Sequence, residues 1–243
     1  MKTQKSIYEA ETPVIVPGIY GNAEIEYLPE LRRYTLTCNG VSWMETDQDF
    51  MHTRETMYAQ YDLAYGDVLV TGLGFGILAT AIASKEEVTS VTVLELSEDV
   101  IRAFVENNQV SDKLKIIQAD ATKYISDTQY DCLLPDHYEL QNYKWRVKDM
   151  NRLAEAIPHK DFWPWSIEEI FLKNSYPRYE VECSSEELFE KYGEEIPAKW
   201  REFIQTTFNG HQTLMSIDDV KLIGYLKRAA KYYYDIPNPY MFF

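Results

Sequence analysis

The sequence contains few of the residues that carry redox or metal chemistry, and it has no long apolar run. Its 243 residues include three cysteines and four histidines. The cysteines, Cys38, Cys132 and Cys183, form no Cys-x-x-Cys pair and no metal-ligand spacing, which favours free thiols in a reducing compartment. No apolar run approaches the roughly 18–20 residues of a membrane helix, and the first residues lack a signal-peptide core. We therefore expect a soluble, cytoplasmic protein with no bound metal and no membrane partner.

Positive charge is also scarce, with 24 Lys+Arg against 39 Asp+Glu and a formal net charge of -15. Because a nucleic-acid binder neutralises phosphates with Lys and Arg, we expect no nucleic-acid partner. Residues 1–139 carry a net charge of -13, whereas residues 140–243 carry only -2. The acidic half could attract a cationic ligand, although the same charge also serves simply to keep a protein in solution.

Residues 13–44 alternate between apolar and polar side chains, which is typical of antiparallel strands with one buried face. Asn39-Gly40 is a strong signal for a two-residue hairpin turn. The predicted strands are 23–27, 33–38 and 41–44. We assign residues 1–47 to an N-terminal β-hairpin segment and predict a helix at 48–64.

From residue 67 onward, short apolar strands alternate with helices, a pattern that favours a parallel sheet covered on both faces. The predicted strands are 67–71, 91–95, 115–118 and 130–134. Ser97, followed by acidic residues, is expected to cap the helix after the second strand. We predict an α/β fold with a Rossmann-like, doubly wound, mostly parallel sheet over residues 48–243, with a helical C-terminal extension from about residue 140.

The extension contains helix patterns but no motif of known chemistry. The predicted helices are 141–157, 166–174, 185–192, 196–208 and 217–234. Ser166 with Glu169, and Ser184 with Glu187, have capping-box spacing. A strand is predicted at 178–183 as an extension of the sheet. The segment 161–165 is expected to be a loop anchored by tryptophans, with a lid over the site as the alternative, and the aromatic tail 232–243 to pack on the body or on a second subunit.

Gly72, Gly74 and Gly76 end one predicted strand and open a helix, and Glu95 ends the next strand. This arrangement lets the backbone approach a nucleotide closely while a carboxylate accepts hydrogen bonds from ribose hydroxyls. A dinucleotide fingerprint requires a glycine three residues after the second one, where this chain has Ile77. A nucleoside cofactor other than a dinucleotide is therefore expected.

The glycine loop, Glu95-Leu96 after the second strand and Asp120-Ala121 after the third resemble the class I S-adenosylmethionine-dependent methyltransferases. The resemblance implies that these three features hold the methionine moiety, the ribose and the adenine of S-adenosylmethionine. A carboxylate such as Asp120 can accept from an adenine amino group, and it can equally serve as a helix N-cap. Both roles remain open for Asp120.

A narrower resemblance covers residues 20–140 and points to the spermidine synthase-like branch of this superfamily. The further residues that carry it are Asn39-Gly40-Val41, Thr46, Asp49-Phe50, Glu55 and Tyr130-Asp131 with Asp136. It implies decarboxylated S-adenosylmethionine as donor, a small β-domain that helps oligomers form, and thus a homodimer. The chain departs from that branch at Phe75, where spermidine synthases have a donor-facing aspartate, and at Asn39, where they have aspartate.

Asp136 is the leading catalytic candidate, because it ends the fourth predicted strand at the edge of the sheet where ligands bind. A base such as Asp136 or His137 must deprotonate an ammonium acceptor before methyl transfer. Tyr138 could stabilise the sulfonium by its ring face. For His137 and Tyr138 a structural role is the stronger alternative, and His52 and Glu55 on the predicted helix are open between a site role and a surface position.

The leading hypothesis is an S-adenosylmethionine-dependent methyltransferase that acts on a small molecule, with an amine-bearing acceptor as one option. The first alternative is an aminopropyltransferase that makes a polyamine from decarboxylated S-adenosylmethionine. The second is a catalytically silent binding or scaffold protein that keeps the same fold. The response to adenosyl ligands distinguishes the three hypotheses.

Overall fold

The structure, a computed structural model, describes residues 6–138, 143–178 and 183–235. The chain divides into two compact units, one that ends at Trp165 and one that begins at Ser166. The boundary predicted at residue 47 lies inside the first unit. That the segment before it is a domain of its own stays a prediction.

An antiparallel sheet of four strands opens the first unit, with its strands in chain order. The strands are β1 (Gly18–Tyr20), β2 (Ala23–Leu28), β3 (Arg33–Cys38) and β4 (Val41–Asp47). Cys38 pairs with Val41 across Asn39 and Gly40, whose φ angles of 52° and 74° suit a type I′ turn. The predicted N-terminal β segment is confirmed, and β4 is three residues longer than predicted.

A parallel sheet of five strands follows, in the order β7-β6-β5-β8-β9. The strands are β5 (Gly66–Thr71), β6 (Val88–Glu95), β7 (Leu114–Gln118), β8 (Tyr130–Pro135) and β9 (His159–Phe162). The inner strands are buried along most of their length, as expected where helices cover both faces of a sheet. The predicted fold class, a Rossmann-like doubly wound sheet, is confirmed.

The fifth strand is a finding of the structure alone. His159-Lys160-Asp161-Phe162 has only one clearly apolar residue, so its pattern does not identify a strand, yet it pairs with β8 at the sheet edge. The strand predicted at 178–183 lies mostly outside the described residues.

In the described part of the first unit, five α-helices accompany the sheets. They are α1 (Met51–Thr56), α2 (Tyr58–Leu63), α3 (Ile77–Ala83), α4 (Glu98–Val105) and α5 (Tyr143–Ala156). The prediction of a single helix at 48–64 is wrong, because the helix is interrupted at Met57. The Thr56 hydroxyl donates to the Thr53 carbonyl that also accepts from Met57 N–H, and such hydroxyl bonds bend helices.

The second unit is helical in its described part. Its helices are α6 (Ile167–Ser175), α7 (Ser185–Tyr192), α8 (Ile196–Thr207), α9 (Gln212–Met215) and α10 (Asp219–Ala230), followed by a π-helical turn at Lys231–Asp235. Large aromatic side chains fill its core, with Trp200 fully buried and donating from Nε1 to the Leu214 carbonyl at 2.8 Å. The predicted tail lies mostly outside the described residues, so its packing stays a prediction.

The serine caps agree with the sequence at two of three positions. The Ser97 hydroxyl accepts from Val100 N–H, and Ser184 forms the reciprocal capping box with Glu187. The capping box predicted at Ser166 is wrong. Ser166 has a φ of 65°, and its hydroxyl donates to the Glu169 carboxylate instead of accepting from the backbone.

The three cysteines are free thiols, as predicted: Cys38 and Cys132 are buried and Cys183 is partly exposed. Burial raises the pKa of Cys132 to about 12, so this thiol is unreactive at neutral pH. Among the described residues, no helix combines the length and the apolar character that crossing a bilayer requires.

Candidate functional site

The site lies where the strand order of the parallel sheet reverses direction. From β5 the chain proceeds through β6 to β7 on one side, and then returns to place β8 on the other side of β5. Ligands in open α/β sheets bind in the crevice at such a point, outside the carboxyl ends of the strands. The strand ends bring four predicted features to this edge: the glycine loop after β5, Glu95, Asp120 and Asp136.

The glycine loop packs tightly against neighbouring segments of the chain. Gly72, Gly74 and Gly76 all have positive φ angles, of 91°, 52° and 78°. A Cβ on Gly72 would lie 2.3 Å from the backbone oxygen of Asp136, and one on Gly74 would lie 2.6 Å from the sulfur of Met44. Positive φ angles favour glycine throughout this loop, and at Gly72 the nearby backbone leaves no room for a Cβ, which brings the loop directly against the candidate catalytic residue.

Glu95 ties the glycine loop to the start of α4. Its Oε2 accepts from Leu73 N–H at 2.9 Å, and its Oε1 accepts from Ser97 N–H at 2.8 Å. A carboxylate offers about four lone-pair sites, so both oxygens can still accept ribose hydroxyls. The neighbouring Leu96 is 60% exposed, which places an uncovered apolar side chain beside the carboxylate.

Asp120 caps the short 3-10 turn Ala121–Lys123 after β7. Its Oδ1 accepts from the backbone N–H of Thr122 at 3.0 Å, and its Oδ2 lies 2.7 Å from the Lys123 ammonium. Hydrogen bonds from Lys123 and Thr122 lower the pKa of Asp120 to about 2. The helix-cap role left open by the sequence is thus present, and Ala121 is buried beside it.

Asp136 has the opposite electrostatic environment. Burial raises the pKa of its half-buried carboxyl to about 8, although the positive charge of Arg146 acts in the other direction. Its backbone N–H donates to the Thr71 carbonyl at 2.9 Å, which fixes the chain where it leaves β8. A carboxyl group with such a pKa can exchange a proton near neutral pH.

His137 and Tyr138 are held by the protein itself. His137 Nδ1 lies 2.5 Å from the Thr71 hydroxyl, and its Nε2 lies 3.0 Å from Oδ2 of Asp149. The Tyr138 hydroxyl donates to the same Asp149 oxygen at 3.4 Å, and burial raises the pKa of this phenol. These contacts give both side chains a structural role, and a catalytic role for either stays a prediction.

Helix α5 contributes polar residues that sequence reasoning misses. Arg146 and Asp149 are 4% and 5% exposed, and Arg152 donates from Nε to Oδ1 of Asp149 at 2.7 Å. The guanidinium of Arg146 lies 5.9 Å from the Tyr138 ring centre. The sequence does contain a signal for these residues. Residues 146, 149 and 153 share one face of a helix, and on the face that includes Leu153 the charged Arg146 and Asp149 replace the apolar residues that a core-facing helix normally has.

Of the two helices before β5, α2 reaches the end of β8 through Gln60, whereas the predicted candidates His52 and Glu55 lie on α1. Gln60, 1% exposed, donates from Nε2 to the carbonyls of Pro135 and Trp163 at 3.3 and 3.1 Å. The Glu55 carboxylate instead accepts from the Tyr8 hydroxyl, and His52 donates its backbone N–H to Asp47. Gln60 is therefore the side chain of this region that clamps the end of β8.

The segment predicted as an anchored loop or a lid continues along β8. Trp163 N–H donates to the Leu133 carbonyl at 3.1 Å, and Trp165 N–H donates to the Pro135 carbonyl at 2.8 Å. These bonds support the anchored alternative. Within the described ranges, no group of three or more His, Cys, Asp or Glu side chains is placed to hold a metal ion.

Comparison with solved structures finds distant likenesses that cover part of the chain. Spermidine synthase from Thermotoga maritima is 16% identical with a TM-score of 0.45, over 61% of this chain and 55% of that one. Phosphoethanolamine N-methyltransferase 1 from Haemonchus contortus is 18% identical with a TM-score of 0.38, over 47% and 25%. An S-adenosylmethionine-dependent methyltransferase from Clostridium acetobutylicum is 12% identical with a TM-score of 0.31, over 43% and 44%.

The parallel sheet and its strand order give the chain a Rossmann-like, doubly wound fold. Spermidine synthases and S-adenosylmethionine-dependent methyltransferases are among the solved structures that it resembles. The match spans about half the length of the Thermotoga spermidine synthase. No protein-family model and no curated protein matches the chain. At these identities the similarity concerns the fold, so the chemistry has to be argued from the site.

Proposed function

We propose that the protein is an S-adenosylmethionine-dependent methyltransferase that acts on a small amine. The observation that carries the proposal is Asp136. Its backbone lies directly against the glycine loop at the reversal point of the sheet, and its carboxyl group has a pKa of about 8. A scaffold needs no such group, because an ionisable carboxyl held in a desolvated site is costly unless it has a use.

The residues of the sheet edge fit an adenosyl donor, which would supply an electrophilic methyl group. Glu95 would bind the ribose through the lone pairs that remain on its carboxylate, and exposed Leu96 would cover one face of the adenine. Asp120 would accept from the adenine amino group beside Ala121. The loop Gly72–Gly76 would hold the methionine end near Asp136.

Asp136 would accept a proton from the ammonium form of the acceptor, since only the neutral amine has the lone pair that attacks the methyl carbon. A pKa near the working pH suits a general base. The remaining work is alignment, because methyl transfer is an in-line displacement that depends on the distance and angle between the two reactants. His137, Tyr138 and Thr71 would hold the backbone that carries Asp136 in place.

The runner-up is aminopropyl transfer from decarboxylated S-adenosylmethionine. The four-stranded sheet before the main domain favours it, because the spermidine synthase-like branch has such a segment. Phe75 argues against it. This side chain is 4% exposed in an apolar cluster with Ile25, Leu36 and Phe104, so no carboxylate stands at the position that faces the donor in that branch.

The proposal extends to the setting of the enzyme. Free thiols and the lack of excess positive charge support a cytoplasmic enzyme with a small-molecule substrate and no nucleic-acid partner. We also propose a homodimer, which light scattering of the purified protein would test. A monomer at micromolar concentration would remove the dimer from the proposal without affecting the chemistry.

Calorimetry with S-adenosylmethionine, its decarboxylated form and S-adenosylhomocysteine tests the donor. We expect S-adenosylhomocysteine to bind, and Leu96→Ala to weaken it several-fold through lost apolar contact. Val105→Ala, a similar truncation of an exposed side chain on α4, is the matched control. Preference for the decarboxylated donor would favour aminopropyl transfer, and no binding of any of the three would favour the scaffold. A screen of small amines for release of S-adenosylhomocysteine then identifies the acceptor.

A further inference from the structure

The buried carboxylate Asp149 connects two parts of the site that lie after different strands. It is 5% exposed on α5, and both of its oxygens are engaged. Oδ2 faces His137 and Tyr138 on the loop after β8, and Oδ1 accepts from Arg152 at 2.7 Å. Burial raises the pKa of Asp149, but the interactions with His137 and Arg152 outweigh burial and hold this pKa below its ordinary value.

On one side, the contacts of Asp149 lead to the candidate base. The Asp136 N–H donates to the Thr71 hydroxyl at 3.2 Å, and this hydroxyl lies 2.5 Å from Nδ1 of His137. Thr71 can donate to Nδ1 when the proton of His137 sits on Nε2, which lies 3.0 Å from Oδ2 of Asp149, an ion-pair distance without hydrogen-bond alignment. The His137 ring is thus held between the Thr71 hydroxyl and the Asp149 carboxylate.

On the other side, Arg152 reaches the turn that follows Asp120. Its Nη2 donates to the Ala121 carbonyl, and its Nη1 donates to the Tyr124 carbonyl at 3.3 Å. A guanidinium is suited to this position, because its planar array of five N–H donors can bind a carboxylate and two carbonyls at once. One side chain therefore spans from the turn after β7 to Asp149.

We propose that Arg152 and Asp149 are positioning residues that couple the turn at 121–124 to the loop carrying Asp136. An adenosyl donor that binds at the turn shifts the carbonyls of Ala121 and Tyr124 to which Arg152 already donates, and this shift reaches His137 through Asp149. Donor binding thereby sets the orientation of the loop that holds the base. This inference rests on the proposed function for the identity of the donor.

NMR of the imidazole rings tests the coupling with S-adenosylhomocysteine as the probe. The chain has four histidines, and His137→Gln identifies the resonance of His137 by its loss. We expect saturating S-adenosylhomocysteine to move that resonance in the unmodified protein and to move it less than half as far in Arg152→Gln. Calorimetry should show that Arg152→Gln binds S-adenosylhomocysteine roughly 2- to 30-fold more weakly than the unmodified protein does, which is the range for residues that carry coupling between sites.

Two further variants separate positioning from a general loss of structure. Lys148→Gln removes a charge from an exposed position of the same helix and should respond like the unmodified protein. Arg152→Lys keeps the charge but cannot bind all three partners, so its His137 response should be intermediate. An equal His137 response in Arg152→Gln at saturation would overturn the coupling alone, whereas no binding to the unmodified protein would overturn the proposed function and the coupling together.

Discussion

Asp120 follows the edge strand β7 and Asp136 follows the inner strand β8, so both carboxyl groups stand at the same edge of one sheet. The pKa of Asp120 is lowered to about 2 by hydrogen bonds from Lys123 and Thr122. The pKa of Asp136 is raised to about 8 by burial. Surroundings that push the pKa values of two carboxyl groups apart suit them to different roles. In the proposed function, Asp120 would be a permanent charge on the donor side and Asp136 would carry an exchangeable proton on the acceptor side.

The same contrast holds for the elements that support each residue. The support of Asp120 is local, since it binds Thr122 and Lys123 in the turn that it caps, whereas Glu95 accepts from Leu73, 22 residues earlier. The support of Asp136 also involves α5, the next helix along the chain, whose Asp149 contacts His137 and Arg152. Local motifs are visible in a sequence, whereas contacts between distant elements are not.

Replacing the carboxyl group of Asp136 with an amide should have the largest effect on the reaction rate. On the amine that the screen identifies, Asp136→Asn should lower kcat by about 10²- to 10⁴-fold, the usual contribution of a general base. The amide keeps the shape of the side chain, so the affinity for S-adenosylhomocysteine should stay within about twofold. Below pH 8 the rate of the unmodified enzyme should rise with pH as Asp136 ionises, and that rise should be absent from the variant.

Steady-state kinetics and calorimetry from pH 6 to pH 9 provide the measurement. A variant that retains more than one-tenth of the rate would show that Asp136 is not the base. The difference between the two carboxyl groups would then reflect their surroundings alone.

Much of the fold could be predicted from the sequence, because its signals are local. Apolar runs mark the inner strands β5 and β8, and Asn39-Gly40 marks the hairpin turn. The errors arise where local propensity is overruled. The bend at Met57 follows from a hydroxyl that bonds its own helix, and β9 is a strand only because β8 offers it an edge to pair with.

The site could be predicted only in part. The positions of Glu95, Asp120 and Asp136 follow from where strands end, since parallel strands present their carboxyl ends at one edge. The partners of Asp149 could not be predicted, because the pairing of a helix residue with His137 depends on how α5 packs on the sheet. Gln60 is missed for the same reason, since its two acceptors lie in distant segments.

Alanine substitutions at Gly72 and Gly40 compare a loop packed against Asp136 with an open turn. Gly72 and Gly40 both have positive φ, but a Cβ on Gly72 would lie 2.3 Å from the Asp136 backbone oxygen, whereas one on Gly40 has nothing within 4 Å. We expect Gly40→Ala to cost about 1 kcal/mol in unfolding free energy and Gly72→Ala about 3 kcal/mol or more. Urea denaturation measures both, and equal losses would contradict the packing argument.

The smallest expected effect concerns the permanent charge. Because the folded-state pKa of Asp120 lies below its ordinary 3.8, its contribution to stability is present above about pH 4 and is lost as pH falls toward 2. Asp120→Asn keeps an N-cap but loses the Lys123 partner, which is largely exposed, so we expect a loss of at most about 1 kcal/mol at pH 6 that vanishes near pH 2.

Asp136→Asn should show the opposite trend. The unfolded chain ionises Asp136 near pH 4 and the folded chain only near pH 8, so the stability that Asp136 contributes falls across this interval and the variant gains relative to the unmodified protein. Thermal unfolding of both variants from pH 2 to pH 8 measures the two trends, and parallel curves would mean that the two carboxyl groups are equivalent.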